Sequence, residues 1–478
     1  MNNDYKERVP LFVDLDGTLI KTDTLYESFL VALKCNPFIL FFCLYWLLKG
    51  RAYLKRKIAL RASLSVKSLP LNREFYDFLV SEAEAGRKIV LATASDEIFA
   101  KEFVQCYGFL NSSIGSDGTI NLKGSKKLKK IKATASNFAY AGNSAEDFIL
   151  FRQAKESYLV NPKSRVERKA SKYTFDGIFD HRDERKRLSV WLKQIRIHQW
   201  LKNTLLFVPL LVSGKYLDIK SLLFSLLGFF SFSLLASATY ILNDLFDIEA
   251  DRNHARKKFR PLASGEIDIL TAVMMAFGLF VLSILSALLL PFNFTVFLFI
   301  YLSMTLFYSF TIKQYMGMDV ITLASLYTIR VLAGSSLLMI TPSFWLLAFS
   351  MFVFFSLALI KRCSELKSAE NSNIDNPNRR DYSNSDYNVL LGLGTSSAML
   401  SVLMLCFYIK SDTFFNQYQQ PALFWVVFPA LGYWLIRMWV KTNRGEMPDD
   451  PLLFTIKDRG SLITVAFIAV ITIIARIL

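Results

Sequence analysis

Two carboxylates one residue apart, Asp14 and Asp16 in VDLDGTL, close a short apolar run where Gly17 and Thr18 turn the chain. On a strand such a pair points the same way, so one can attack phosphorus while the other handles protons and both help hold a hard cation. Further along, IVLATAS ends a second strand at a hydroxyl, Thr93, NLKGSKK supplies Lys127, and YAGNSAED supplies Asp147. A phosphoryl site needs such parts: a hydroxyl and an ammonium to hold phosphate oxygens, and a carboxylate to hold Mg2+.

A second constellation lies in ATYILNDLFDIEADRNHARKKFRPLASGEI. Asn243, Asp247 and Asp251 are spaced i, i+4, i+8, and Asp244 lies three residues before Asp247, so on one helix these oxygen ligands crowd one face. Carboxylates that close repel one another and imply a divalent cation or a cationic partner. Five basic residues follow, among them Arg260, that can bind phosphates. YSFTIKQYMGMDVITLASLYTIRVLAG offers the other half: Tyr308, Ser309 and Lys313 close one apolar segment and Asp319 opens the next. Arg330 is three turns on, about 16 Å deeper, where a guanidinium points into a polar cavity or at an anionic ligand.

Two kinds of element must position these groups. Residues 1 to about 185 alternate short apolar runs with polar helices, the pattern of a parallel α/β sheet whose loops carry chemistry. The charged stretch from His181 to Arg187 reads as a linker into residues 186–478, an all-α polytopic membrane domain. Nine apolar segments follow, near 201–214, 220–243, 268–290, 292–311, 317–340, 343–361, 388–409, 421–440 and 461–478. All but the first approach the roughly 20 residues that a spanning helix requires. Pro37 to Leu48, PFILFFCLYWLL, is too short to cross and either dips into the membrane face or packs inside a helical cap.

Composition agrees. Of 478 residues 53% are apolar, and 56 basic against 40 acidic residues leave a net charge of +16. Such apolarity excludes a disordered chain, and basic charge scattered among apolar runs marks a surface facing anionic lipid rather than nucleic acid. With nine crossings and residue 190 in the cytoplasm, the basic loops 244–267, 362–387 and 441–460 share the cytoplasmic side, leaving Lys215, Lys220 and Lys410 opposite. This places the protein in the cytoplasmic (inner) membrane, its first domain in the cytoplasm with no secretory signal. Five cysteines without a C-x-x-C pair suggest small buried hydrophobes rather than zinc or disulfides.

The four amino-terminal motifs, in this order, resemble the haloacid dehalogenase superfamily, a Rossmann-like α/β fold. The resemblance implies that Asp14 is the nucleophile of an aspartyl-phosphate, Asp16 the general acid/base, and Thr93 and Lys127 the phosphate clamps. Asp147 then supports Mg2+, with Asp14, Asp16 and Asn143 as further metal ligands. The last motif reads Gly142-Asn143 where Gly-Asp is usual, which removes one negative charge.

N-D-x-x-D-x-x-x-D followed by R-P-L-x-x-G resembles the UbiA superfamily of intramembrane prenyltransferases. That implies nine spanning helices around a central cavity and a diphosphate bound through Mg2+ at the first Asp-rich motif. The second motif, Y-S-x-x-x-K-x-x-x-x-x-D, departs from the usual acidic cluster. That departure resembles the decaprenyl-phosphate phosphoribosyltransferase branch. So do IRIHQWLKNTLLFVPLL with Lys202 and Asn203, K-R-x-x-E-L with Lys361, Arg362 and Glu365, RRDYSNSD (Arg379 to Asp386), and DDPLLFTIKDRGS.

The branch implies 5-phosphoribosyl 1-diphosphate as donor and a polyprenyl phosphate as acceptor. Asn243, Asp244, Asp247 and Asp251 would then take metal and diphosphate, and Lys202, Arg260, Lys313 and Arg330 the phosphates. Asp319 would orient Lys313 or a ribose hydroxyl. The sequence leaves two alternatives open: prenyl transfer from a polyprenyl diphosphate to an aromatic or other acceptor, and a nonenzymatic lipid-binding or transport protein. The soluble domain is expected to remove the 5-phosphate of the transferase product.

Overall fold

The structure, a computed structural model, describes residues 8–162, 164–180, 187–370, 381–411, 414, 418–448 and 450–477. Most of the expected linker, 181–186, and the pair Arg379 and Arg380 lie outside the described residues. The chain divides into two compact units: residues up to 195 together with 241–275, and residues 196–240 together with 276–478.

The first unit holds a six-stranded sheet, with β1 (Leu11–Val13), β2 (Ile89–Asp96), β3 (Ser112–Ser116), β4 (Ala139–Gly142), β5 (Glu156–Val160) and β6 (Gly177–Phe179). Every pairing is parallel and the order is β3-β2-β1-β4-β5-β6. The α/β expectation holds. β1 is buried on both faces: Leu11 and Val13 pack with Leu79 and Phe103 on one side, Phe12 with Ile131 and Phe138 on the other. A strand covered twice is apolar throughout rather than alternating. Chain order reverses between β1 and β4, and the crevice beyond the carboxyl ends of such neighbours is where ligands bind in open α/β sheets.

Between β1 and β2 come four α-helices, Thr24–Cys35, Ile39–Leu48, Arg51–Ala59 and Arg73–Glu84. The first is capped by Asp23, whose side chain accepts from the Leu25 N–H. The segment 241–275 packs onto this part of the same unit. Arg252 forks onto Glu27 at 2.6 and 3.1 Å, both side chains nearly sealed from solvent, and Thr22 donates to the same carboxylate at 2.6 Å.

Eight helices of the described chain are long and apolar enough to cross a membrane: Ile219–Phe246, Ile269–Ala287, Phe292–Phe310, Met318–Leu337, Phe344–Glu370, Asn384–Ile409, Pro421–Asn443 and Arg459–Arg476. The sequence predicts nine. The first of those, near 201–214, forms as 3-10 turns from Ile197 to Phe207 and a short α-helix, Val208–Ser213. The reason is local: Pro209 lacks a donor N–H, and Lys202, Asn203 and Thr204 interrupt the apolar run. Gly334 lets this stretch lie close, since a Cβ there would stand 2.2 Å from the Leu206 carbonyl oxygen.

The cysteines are free as expected, but Cys35 and Cys106 are exposed rather than buried, because each is the last residue of a helix.

Candidate active sites

The phosphoryl-type site assembles at the sheet crevice. Asp14 follows β1, Thr93 lies within β2, Lys127 in the first turns of the helix Ser125–Thr134, and Asn143 follows β4. Lys127 Nζ stands 2.9 Å from Asp14 and donates to the Tyr140 hydroxyl at 3.1 Å, which donates to Asp147 at 2.7 Å. The other Asp147 oxygen accepts from the Asn143 and Ser144 N–H groups and the Ser144 hydroxyl. Asp147 therefore shapes the turn that presents Asn143, whose amide packs on Gly17. Gly17 has φ +76°, and a Cβ there would lie 2.0 Å from Asn143 Nδ2, so glycine is required twice over.

Asp16 accepts from the Thr24 N–H at 2.9 Å and from the Ser95 hydroxyl, to which Thr24 Oγ1 donates at 2.6 Å. Thr93 is fully buried and its Oγ1 accepts from the Ser95 N–H at 3.0 Å. Ser95 and Tyr140 are the members that sequence reasoning missed. Ser95 lay two residues beyond Thr93 in the same strand motif, and Tyr140 opened the motif that supplied Asp147.

Burial pushes the Asp14 carboxyl up to about 6 against the pull of Lys127, and burial with the nearby Asp23 raises Asp16 to about 6 as well. Burial would discharge Lys127, yet Asp14 and Asp147 hold its pKa above the ordinary lysine value. A carboxyl poised near 6 can give and take a proton close to neutrality. The same shift affects stability. Because the folded state favours protonated Asp16, its contribution is complete below about pH 3.8 and is lost as pH rises through about 6. Asp16→Asn, which keeps an acceptor for Thr24, should raise stability by about 1–3 kcal/mol at pH 7.5 and hardly at pH 4. Thermal unfolding of both proteins at the two pH values measures this; an equal shift at both would exclude it.

The acidic stripe is organised differently from a continuous helix. Asn243 and Asp244 lie in the last turn of Ile219–Phe246, Asp247 immediately precedes the short helix Ile248–Asn253, and Asp251 lies within that helix. The break after Phe246 replaces the single i, i+4, i+8 face. Asp244 and Asp251 still converge, both buried, on one guanidinium: Arg260 Nη1 is 3.1 Å from Asp244 and 2.5 Å from Asp251. Gln194 donates to the other Asp244 oxygen at 3.4 Å. The cationic partner that the crowded acids demanded is thus the arginine of the R-P-L motif. Oxygen donors from one amide and three carboxylates suit a hard cation such as Mg2+. Among the described residues no three His, Cys, Asp or Glu side chains stand grouped for a metal.

In the second unit the predicted basic residues fall on several elements. Arg330 donates to Asn203 at 2.9 Å, to the Leu326 carbonyl and to Tyr301 at 3.3 Å, and its guanidinium lies within 5.5 Å of the Phe232, Tyr301 and Tyr327 ring centres. Asn203 in turn donates to Ser233 at 2.9 Å. Lys202 pairs with Asp450 at 2.6 Å, and Asp450 caps the helix Pro451–Lys457. Lys313 sits in the 3-10 turn Ile312–Gln314. Lys361 precedes Arg362 in the helix Phe344–Glu370.

Asp319, expected to orient Lys313 or a ribose hydroxyl, meets Arg362 at 2.6 Å and accepts from Tyr382 at 2.7 Å. Arg362 also reaches Glu365 at 2.5 Å and donates to Tyr308 at 3.0 Å. These groups tie three helices and Tyr382 into one cluster. Asp319→Ala takes the acceptor from the Tyr382 O–H, which keeps only the Gly317 N–H, and leaves part of the Arg362 charge without a partner, so it should cost about 2–3 kcal/mol. A fall in the unfolding midpoint in detergent checks this, and an unchanged midpoint would refute it.

Residues 204–469 match the model of the UbiA prenyltransferase family. The chain is 35% identical over 471 residues to the uncharacterized protein y4nM of Sinorhizobium fredii, covering 97% of this chain and 91% of that one. It is 37% identical over 183 residues to a decaprenyl-phosphate phosphoribosyltransferase of Mycobacterium tuberculosis, covering 37% of this chain and 61% of that one. A solved UbiA homolog from Archaeoglobus fulgidus, bound to GPP and Mg2+, is similar at 17% identity and a TM-score of 0.47, over 60% of this chain and 100% of that one. With more than half of its length matched and eight helices able to cross a bilayer, the chain is a multi-pass membrane protein that belongs to the UbiA prenyltransferase family.

Proposed function

We propose that this chain transfers 5-phosphoribose from phosphoribosyl diphosphate to a polyprenyl phosphate, and that its sheet domain is a haloacid dehalogenase-type phosphatase acting on the product. The observation that carries the first part is the buried pair Asp244 and Asp251 sharing Arg260. Such a nest can exchange a guanidinium for a divalent ion and its diphosphate. Similarity to a decaprenyl-phosphate phosphoribosyltransferase supports the donor and acceptor.

In the transfer, the anomeric C–O bond to diphosphate breaks, an acceptor phosphate oxygen bonds to that carbon, and diphosphate leaves. Mg2+, held by Asn243, Asp244, Asp247 and Asp251, would neutralise the leaving group. Arg260, once displaced from the acids, is available to phosphate oxygens. Lys202, Lys313, Arg330, Lys361 and Arg362, with Asn203 and Tyr308, are proposed to bind the phosphate groups of donor and acceptor, and Asp319 to hold Arg362 in place.

In the phosphatase site Asp14 attacks the phosphomonoester, Asp16 protonates the departing alkoxide, and water activated by Asp16 then cleaves the aspartyl-phosphate. Lys127 and Thr93 hold phosphate oxygens. Asn143 and the two acids can ligate Mg2+, with Asp147 supporting them. We place the basic loops and the sheet domain on the cytoplasmic side of the inner membrane. Eleven 3-10 residues and six α residues reach about 31 Å, which supports a ninth crossing at 197–213.

Purified full-length protein with Mg2+, radiolabelled phosphoribosyl diphosphate and polyprenyl phosphate should move label into the lipid phase. Label that stays in water, while a polyprenyl diphosphate donor is consumed with an aromatic acceptor, would establish prenyl transfer instead.

A further inference from the structure

The helix Ile39–Leu48 is apolar on every side, yet only Ile39 and Trp46 are buried, with Cys43 half-covered between them. Those three lie on one stripe and pack the helix against its neighbours. The other face is bare: Phe38 and Phe41 are each 68% exposed, Leu44 65% and Leu48 87%. A contiguous apolar face of that kind on an otherwise polar surface marks an interaction site.

The charge around it says what covers it. From Ser28 to Asn72 the chain contains eight basic residues and no acidic one. Lys49 lies over the rings of Tyr45 and Tyr53, Lys57 over Tyr53, and Arg61 over Trp46, so cations and amphipathic aromatics ring the helix end. Ten residues cannot span a bilayer, but apolar side chains bordered by Tyr, Trp, Lys and Arg fit the headgroup boundary of an anionic leaflet. A soluble protein partner offers no reason for forty-five residues without one acid.

We infer that the helix Ile39–Leu48 with its basic flank docks into the surface of an anionic bilayer as a monotopic element. The helices before and after it reach the phosphoryl-type site: the Thr24 N–H, in Thr24–Cys35, holds Asp16, and Lys55, in Arg51–Ala59, donates to the Ala94 carbonyl at 2.7 Å. Resting on the phosphatase reading, docking makes the substrate of that site a phosphomonoester carried on a lipid at the headgroup layer.

The full-length protein in nanodiscs containing phosphatidylglycerol with a photoactivatable acyl chain tests the docking. After irradiation and trypsin, the peptide Cys35–Lys49 should carry the lipid adduct, and Phe41→Asp with Leu44→Asp should lower that adduct about tenfold. Both side chains are exposed, so the fold survives the exchange. Adducts confined to the spanning helices would overturn the proposal. So would an unlabelled peptide with a changed oligomeric state in the double variant, which would assign the face to a second copy.

In a second arm the double variant should hydrolyse a lipid phosphomonoester about tenfold more slowly than the parent while hydrolysing p-nitrophenyl phosphate at the parental rate. Equal rates on both substrates would remove the lipid-substrate part. Absence of hydrolysis of either by the parent would defeat the phosphatase reading, with the adduct still deciding the docking.

Discussion

Alanine at Asp244 is expected to lower kcat/KM for phosphoribosyl transfer about a thousandfold, close to 4 kcal/mol of transition-state stabilisation. The carboxylate is buried, and its partner Arg260 is part-exposed and keeps Asp251, so the loss falls on chemistry rather than on folding. Asp251→Ala should behave alike, and alanine at Asp247 should weaken Mg2+ dependence further. Transfer of radiolabel at several Mg2+ concentrations, together with donor affinity, measures the effect. If Asp244→Ala turned over at the parental rate with unchanged donor affinity, the acidic stripe would have no part in the reaction.

Asn at Asp14 should abolish phosphomonoester hydrolysis, a loss of about 10,000-fold or more, because the amide is not a nucleophile toward phosphorus. Phosphoribosyl transfer should continue, so the phosphorylated lipid accumulates. Lys127 loses a partner at 2.9 Å but retains the Tyr140 hydroxyl at 3.1 Å and Asp147 at 3.9 Å, so the site holds its shape. Asp16→Asn differs in kind: the nucleophile remains, so the enzyme is phosphorylated, more slowly without the acid for the alkoxide, and the phosphorylated form persists without the base for water. Lipid chromatography and intact-protein mass spectrometry separate the two. Transfer without accumulation of phosphorylated lipid in Asp14→Asn would show that the sheet domain does not act on that product.

The amino-terminal site was legible because its chemistry is local to strand ends. Asp14 and Asn143 each follow an apolar strand and Thr93 lies in the carboxyl half of one, and a parallel sheet brings such ends together whatever lies between them. Ser95 and Tyr140 were overlooked because a serine or tyrosine beside a motif has many ordinary uses. Only the approach of Thr24 to Ser95, 71 residues apart, and of Lys127 to Tyr140 assigns them.

The acidic stripe was half legible. Spacing put Asp244 and Asp251 together and demanded a cation, but nothing in the pattern announced the helix break before Asp247 or chose Arg260 over four other basic neighbours. The sequence offers Lys313 or a ribose hydroxyl as what Asp319 orients; its contacts with Arg362 and Tyr382, the latter 63 residues away, come only from packing. The apolar run Pro37–Leu48 left membrane surface and cap interior equally open, and the exposed face of the folded helix favours the surface.

By itself the sequence determined which segments are strands, which are apolar enough to enter a bilayer, and which carboxylates crowd together. Those properties depend on periodicity and on charges a few residues apart. Tertiary structure alone decided which cation answers each acid and which hydroxyl completes each chain of hydrogen bonds. A buried charge must find a partner, and where several lie within reach, the packing of distant helices selects the one it meets.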